Sequence, residues 1–343
     1  MNQSAANKRI QFWIGIAVSV VCLAALFVFI RPGDILEAIR NSRYEFWLLT
    51  AISLLLFMII RAVRWRLMIN RGFGENVIAY NNVFHVQNIG YMLTNILPFR
   101  LGDVARAVLI GNIPPITISL GISTMVVERL FDLLFIIILF PFTIAAVEQV
   151  PQTVKSIALI TGGLAIMATL VIIGAANRRQ VAMAIAESLA EHIRFINTDP
   201  WLRRLDDGLK GLGIFTNFRD ALTLAIISVV VWLPIVLGYY AGMLAVNLTP
   251  SLIEAAFVVC IAAFSVTAPS SPGQIGVFEA SVTFAIATLL GMPKPQAASF
   301  ALLYHAVNYV VIGLLGIIGI SRTGETFGSV IASAKSIIQS GAD

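Results

Sequence analysis

Three ionisable residues, Glu128, Arg129 and Asp132, interrupt the middle of an otherwise apolar run over 116–140. Each costs about 2.5–3.5 kcal/mol at the centre of a membrane helix, so such side chains pair with one another or line a wet cavity. Helical spacing puts Glu128 and Asp132 on one face and sets Arg129 three residues from Asp132, close enough for an ion pair. Glu128 is then left without a partner on its own helix. Arg100, Asp103 and Arg106 lie just upstream, and Arg100 or Arg106 is expected to supply that partner. A structural ion pair is the plain alternative to a functional charged network. Guanidinium groups hold phosphate through paired hydrogen bonds, so Arg100, Arg106 and Arg129 are candidates for an anionic group. Glu128, Asp132 and Glu279 would offset them, or meet a cationic group or a proton.

Two breaks share a skeleton. Pro98-Phe99-Arg100-Leu101-Gly102-Asp103 is followed by Arg106, and Pro272-Gly273-Gln274-Ile275-Gly276-Val277-Phe278-Glu279 repeats Pro-x-x-x-Gly with a nearby carboxylate. Proline removes a backbone donor and glycine permits non-helical turns. Backbone groups unpaired at membrane depth are tolerated only where protein or water satisfies them. Ordinary interfacial turns would give the same pattern, but polar residues gather at both breaks. Asn88, Tyr91, Thr94 and Asn95 approach the first; Ser265, Thr267, Ser270 and Ser271 approach the second; Tyr304, His305, Asn308 and Tyr309 sit in the last apolar run. Singly, each is more often a helix-packing contact than a ligand. His85, His192 and His305 lack metal-ligand spacing, and the chain has no H-E-x-x-H, G-x-S-x-G or P-loop. Neither a metal nor a cofactor is expected.

The elements that must hold these residues are membrane helices. The chain is 58% hydrophobic and 12% charged, against roughly 25% charged in a soluble domain. We therefore expect an all-α integral membrane protein, one domain over 1–343, built as a polytopic helical bundle. A spanning helix needs about 20 apolar residues. Six clear spans cover 10–30, 46–60, 116–140, 157–176, 221–246 and 297–320, and two interrupted segments cover 83–110 and 252–290. The first run exceeds the apolar core of a signal peptide, about 7–15 residues, and reads as a retained helix. The second stops before Arg61 but can extend toward Trp65, with arginine stems reaching for the interface.

The net charge of +5 fits Lys and Arg gathered on the cytoplasmic side. No basic run interleaved with aromatics suggests nucleic acid. Lys8 and Arg9, then Arg61, Arg64, Arg66 and Arg71, then the basic residues from Arg178 to Arg219 place both termini in the cytoplasm, with the chain multi-pass in the cell membrane. Arg31, Arg40 and Arg43 run against that count. In this orientation 83–110 leaves and returns to the cytoplasmic side and 252–290 to the outer side. Each is a re-entrant hairpin or a pair of short helices, and the two are opposed, which is the sequence pointer to an inverted-repeat transporter. Val181, Ile185, Leu189, Ile193 and Ile196 make 178–215 an amphipathic cytoplasmic connector. Cys22 and Cys260 lie in apolar runs and imply neither a disulfide nor a metal site.

Three stretches taken together carry a resemblance: Leu97-Pro98-Phe99-Arg100-Leu101-Gly102-Asp103-Val104-Ala105-Arg106, Glu128-Arg129-Leu130-Phe131-Asp132, and Pro272 to Glu279. In order and spacing over nearly the whole chain, the sequence resembles the flippase-like family of the lysylphosphatidylglycerol synthase transmembrane region, the membrane part of the multiple-peptide-resistance factor. The resemblance implies a lipid flippase or translocase with re-entrant helices around a central cavity. In larger relatives an aminoacyl-transferase domain follows; this chain runs only a short way past its last span, so lysyl transfer is not expected. The implied passage would use Arg100, Asp103, Arg106, Glu128, Arg129, Asp132, Gln274 and Glu279, shaped by Pro98, Gly102, Pro272, Gly273 and Gly276. Its partner would be a membrane lipid or lipid-linked substrate; homo-oligomerisation is left open. Gln274 departs from relatives that carry a second glycine or an arginine near the turn, which bears on substrate rather than fold. The alternative is a membrane-embedded lipid-modifying enzyme or an accessory protein. An enzyme should show an acidic metal cluster or a nucleophile with its base, and the sequence offers neither.

Overall fold

The computed structural model describes residues 3–73, 75–97, 101–145, 147–178, 180–181, 183–184, 188, 218–265 and 271–332. Among them the regular structure is helical throughout. The helices are α1 (Gln3–Phe29), α2 (Pro32–Arg40), α3 (Tyr44–Phe73), α4 (Tyr80–Ile96), α5 (Leu101–Gly111), α6 (Ile118–Ile144) and α7 (Gln152–Asn177), then α8 (Phe218–Ala245) and α9 (Leu252–Ser265). A single 3₁₀ turn (Pro272–Gln274) leads to α10 (Val277–Phe284), which ends in a π turn (Ala285–Leu289), and α11 (Lys294–Thr323) follows. The connector expected over 178–215 lies almost entirely outside the described residues.

Each of the six expected spans falls on a helix. Tyr44–Arg71, Leu222–Ala245 and Lys294–Thr323 are long and apolar enough to cross a bilayer by length and composition alone. α1 and α2 meet at an 83° bend, where Pro32 starts the second helix. Large apolar side chains stand outward, among them Val21, Val28, Phe29, Ile160, Leu164 and Met167. So large an exposed apolar surface would be a liability in water and is the ordinary condition of a helix in lipid. Inside, small residues let backbones approach. Thr50 donates its hydroxyl to the Gly238 carbonyl across the α3–α8 contact at 3.2 Å. A Cβ on Gly319 would stand 2.9 Å from the His85 carbonyl oxygen, and one on Gly316 would overlap Met92.

Helix α11 serves as a ruler for the two interrupted segments. Along it, Gly319 packs on His85, Gly316 on Met92, and Tyr309 bonds to Asn95; α4 therefore runs antiparallel to α11 and stops halfway along it. From the other end, Met292 at the start of α11 donates to the Ile286 carbonyl, His305 meets Glu279, and Tyr309 meets Gly273. The two segments come from opposite ends and their tips meet at Tyr309. Each is a pair of short helices. The 11 residues of α5 rise about 16 Å and the 14 of α9 about 21 Å, short of a hydrocarbon core of about 30 Å.

Two sequence expectations need correction. The second span runs past Trp65 as well as Arg61: α3 continues to Phe73 and buries Arg61, Ala62, Arg64, Trp65, Met68 and Ile69. Arg61 and Arg64 turn inward rather than toward the interface because carboxylates on α6 await them, so they cease to count as loop charges. Gly102 is not a turn residue. It sits in the first turn of α5, and a Cβ there would overlap the Gly90 carbonyl and Thr94; its role is to let α5 lie against α4. Gly273 (φ 69°) and Gly276 (φ 90°) do occupy left-handed backbone, as the sequence pattern requires.

Candidate functional site

A buried ion network joins α3, α5 and α6, with Tyr91 of α4 at its edge. Glu128 is its hub. It accepts from Arg61 Nε at 3.1 Å, the Tyr91 hydroxyl at 3.0 Å and an Arg106 terminal nitrogen at 2.7 Å, and an Arg61 terminal nitrogen also closes on it. Asp132, one helical turn on, takes Arg61 and Arg64, each at 2.9 Å. Arg64 also donates to Ser228 of α8 at 3.4 Å. The Arg106 guanidinium lies 3.6 Å from the Trp65 ring centroid, a cation–π contact, and Trp65 is anchored by donating its ring N–H to Thr124 at 3.0 Å. Arg64, Arg106 and Glu128 are at most 1% exposed.

The pairing differs in one respect from the sequence expectation. Arg129 does not pair with Asp132. Being one residue from Glu128, it points about 100° around the helix, away from the Glu128–Asp132 face, and meets Asp103 of α5 at 3.0 Å. That adjoining pair is partly exposed, 33% and 22% at the two side chains. Arg106 does reach Glu128, as expected. Pro98 and Arg100 lie outside the described residues, as do Thr267 and Ser270.

Charge and donor capacity are both in surplus. Arg61, Arg64, Arg106 and Arg129 face Glu128, Asp132 and Asp103, four cations against three carboxylates, so the described residues leave a net +1. The Nε groups of Arg64 and Arg106 are buried without a hydrogen-bond partner. Buried donors without partners are rare in native structures. Here they mark donor capacity that the network's own acceptors leave unused.

Gln274 and Glu279 fall in a second cluster. Gln274 occupies left-handed backbone (φ 63°) at the tip of the second break, part-exposed and uncommon for a residue with a side chain. Glu279, in the first turn of α10, accepts from the Gly276 N–H at 2.6 Å and meets His305 Nδ1 at 2.6 Å. Ser19 of α1 holds the same turn by accepting from the Ser271 N–H at 2.9 Å. The clusters touch through the hairpin tips, where Tyr309 bonds to the Asn95 carbonyl at 3.3 Å.

Arg61, Arg64 and His305 are the residues of these two clusters that the sequence reading did not assign to a site. Arginines three apart, flanked by Ala62 and Trp65 on one helical face, were the available signal for the first two. Nothing local pairs His305 with Glu279.

The family described as the lysylphosphatidylglycerol synthase TM region matches residues 12–316. A UPF0104 membrane protein of Methanothermobacter thermautotrophicus is 26% identical over 337 residues, covering 94% of this chain and 96% of its own length. A UPF0104 membrane protein of Methanocaldococcus jannaschii is 22% identical, covering 88% and 91%. The glycosyltransferase AglD of Haloferax volcanii is 21% identical, covering 89% of this chain and 53% of its own length. No solved structure matches.

Proposed function

This chain belongs to the lysylphosphatidylglycerol synthase TM region family, and we propose that it carries a phosphate-bearing lipid or lipid-linked headgroup between leaflets through its charged centre. The observation that carries this reading is the buried network: net positive, hubbed on Glu128, with two guanidinium donors unfilled. A polar headgroup cannot cross hydrocarbon cheaply. Phosphate oxygens can replace carboxylate oxygens at Arg61, Arg64 and Arg106 one bond at a time, so neither partner need be stripped bare. Acyl chains would stay in lipid. In the present arrangement the charges close on one another, so passage requires α5 and α6 to part. Arg100, which precedes α5 in the sequence, is a further candidate for the same anionic group. The same reading keeps both termini in the cytoplasm and the protein in the cell membrane, on the strength of the loop lysines and arginines.

A relative named as a glycosyltransferase favours a second reading, a part in making or handling glycolipid, in which the substrate is a lipid-linked sugar phosphate. Reconstitution separates these. In vesicles, fluorescent phospholipid and a polyprenyl-phosphate sugar are offered to the wild type and to Glu128→Gln and Arg106→Gln variants. Leaflet exchange in the wild type and its loss in both variants supports translocation; unchanged exchange in both removes the site assignment. A radiolabelled lipid product, rather than exchange, supports the enzyme.

A further inference from the structure

The second cluster contains a buried acid–base pair that the arginine network does not require. We propose that Glu279 and His305 form a proton-binding site that couples movement of the second hairpin to a transmembrane proton gradient. This rests on the translocation reading and deepens it by naming the driving ion.

The pair lies inside the membrane bundle. His305 is well within α11, a helix long enough to span, and both side chains are buried. Intramembrane Glu and His side chains are costly and recur in proton relays. Both oxygens of Glu279 are occupied, one by the Gly276 N–H and one by His305 Nδ1, each at 2.6 Å. Among the described residues no lysine or arginine pairs with Glu279, and the imidazole is the group there that can carry a balancing proton. With that proton the pair is neutral overall; without it, a net negative charge stays in a poorly solvated place. Imidazole is the side chain whose charge changes near physiological pH.

The surroundings add few competing charges. On α11 the neighbouring titratable groups are Tyr304 and Tyr309, whose rings stack near Phe278 and His305. Helix α1 presents Ser19 and carries Cys22. Helix α9 carries Cys260 and, at its start, Glu254, which is engaged with the Ser251 N–H. Helix α4 offers the Asn95 carbonyl.

The position of the pair gives it an edge for access and a route for transmission. Among the described residues His305 bonds through Nδ1, and its side chain keeps 11% exposure. Nε2, on the edge opposite Glu279, is the atom by which a proton would enter. The imidazole packs on Phe278 at 4.7 Å and Tyr309 at 4.9 Å between centroids. The Tyr309 hydroxyl fills the space beneath Gly273 and bonds to Asn95. Changing the charge of the pair thus loads the tip of one hairpin and the end of the other.

The test uses the full chain in vesicles containing fluorescent phospholipid, with the two faces held equal or at about pH 6 and about pH 8, spanning the imidazole range. A several-fold change in wild-type exchange on imposing the gradient is expected, and its loss in His305→Gln, which keeps a side chain able to bond Glu279. Wild-type exchange indifferent to the gradient, or a His305→Gln variant that keeps the response, overturns the proposal. A second readout does not depend on transport. In a Cys22→Ser, Cys260→Ser background, the labelling rate of Ser271→Cys, divided at each pH by that of an exposed Ser251→Cys control so that the thiol's own ionisation cancels, should differ several-fold between the two pH values, with the difference abolished by His305→Gln. If lipid exchange is absent but this ratio follows pH, the translocation reading fails and the proton site stands; a ratio flat with pH overturns the proton site.

Discussion

Tyr309 donates its hydroxyl to the carbonyl of Asn95 at 3.3 Å, and this bond ties the helix beneath the second break to the end of the first. The two residues are 214 positions apart. Around them two pairs of short helices meet from opposite ends of α11, so polar backbone that lipid could not satisfy is enclosed by protein.

Opposed hairpins have a measurable sidedness. Asn112 follows the base of the first, and Ser251 precedes that of the second; both are exposed. In the cysteine-free background, Asn112→Cys and Ser251→Cys should react with an impermeant thiol reagent from opposite faces of the membrane. Labelling of both from one face would refute the arrangement.

The hub and the adjoining pair should differ in cost. Glu128→Gln removes a fully buried charge from among three arginines and should destabilise by roughly 3–5 kcal/mol. Arg129→Gln breaks a partly exposed pair and should cost less, about 1 kcal/mol. Denaturation in detergent would compare them; equal losses would contradict the burial difference.

The partner of Arg129 can be identified by exchange. Asp103→Arg and Arg129→Asp should each reduce lipid exchange, and the double variant should recover a large part of it. No recovery would argue against the α5–α6 pair.

Substitutions at the two breaks should act in opposite directions. Gly102→Ala meets the Gly90 carbonyl and Thr94 and should cost at least about 1–3 kcal/mol by overpacking. Gln274→Gly relieves left-handed backbone worth roughly 1–2 kcal/mol, partly offset by unfolded-state entropy, and should raise stability slightly. Thermal unfolding of purified protein measures both.

Much of the architecture was legible before any coordinates. Apolar runs of spanning length located the helices, because bilayer thickness and helical rise are constants that a local stretch of sequence must meet. Proline and glycine marked the breaks, and the spacing of Glu128 and Asp132 put both on one face. Partners were another matter. Arg61 was read as the end of a span because an arginine after an apolar run usually is one; only the carboxylates 67 and 71 residues away make its burial tolerable. Arg129 was assigned to Asp132 by proximity in sequence, whereas the helical turn aims it at Asp103, 26 residues back. Gly102 reads in sequence as a turn residue at a break and in the fold is a contact between α4 and α5.

Sequence alone therefore determined the chain's medium, its helices, its two breaks and the presence of charge between them, since each follows from composition and period along a single element. Tertiary structure decided which charges neutralise one another, which guanidinium donors stay unfilled and which carboxylate has a histidine for company. Those depend on the rotation and approach of helices remote in sequence, and no local pattern encodes them.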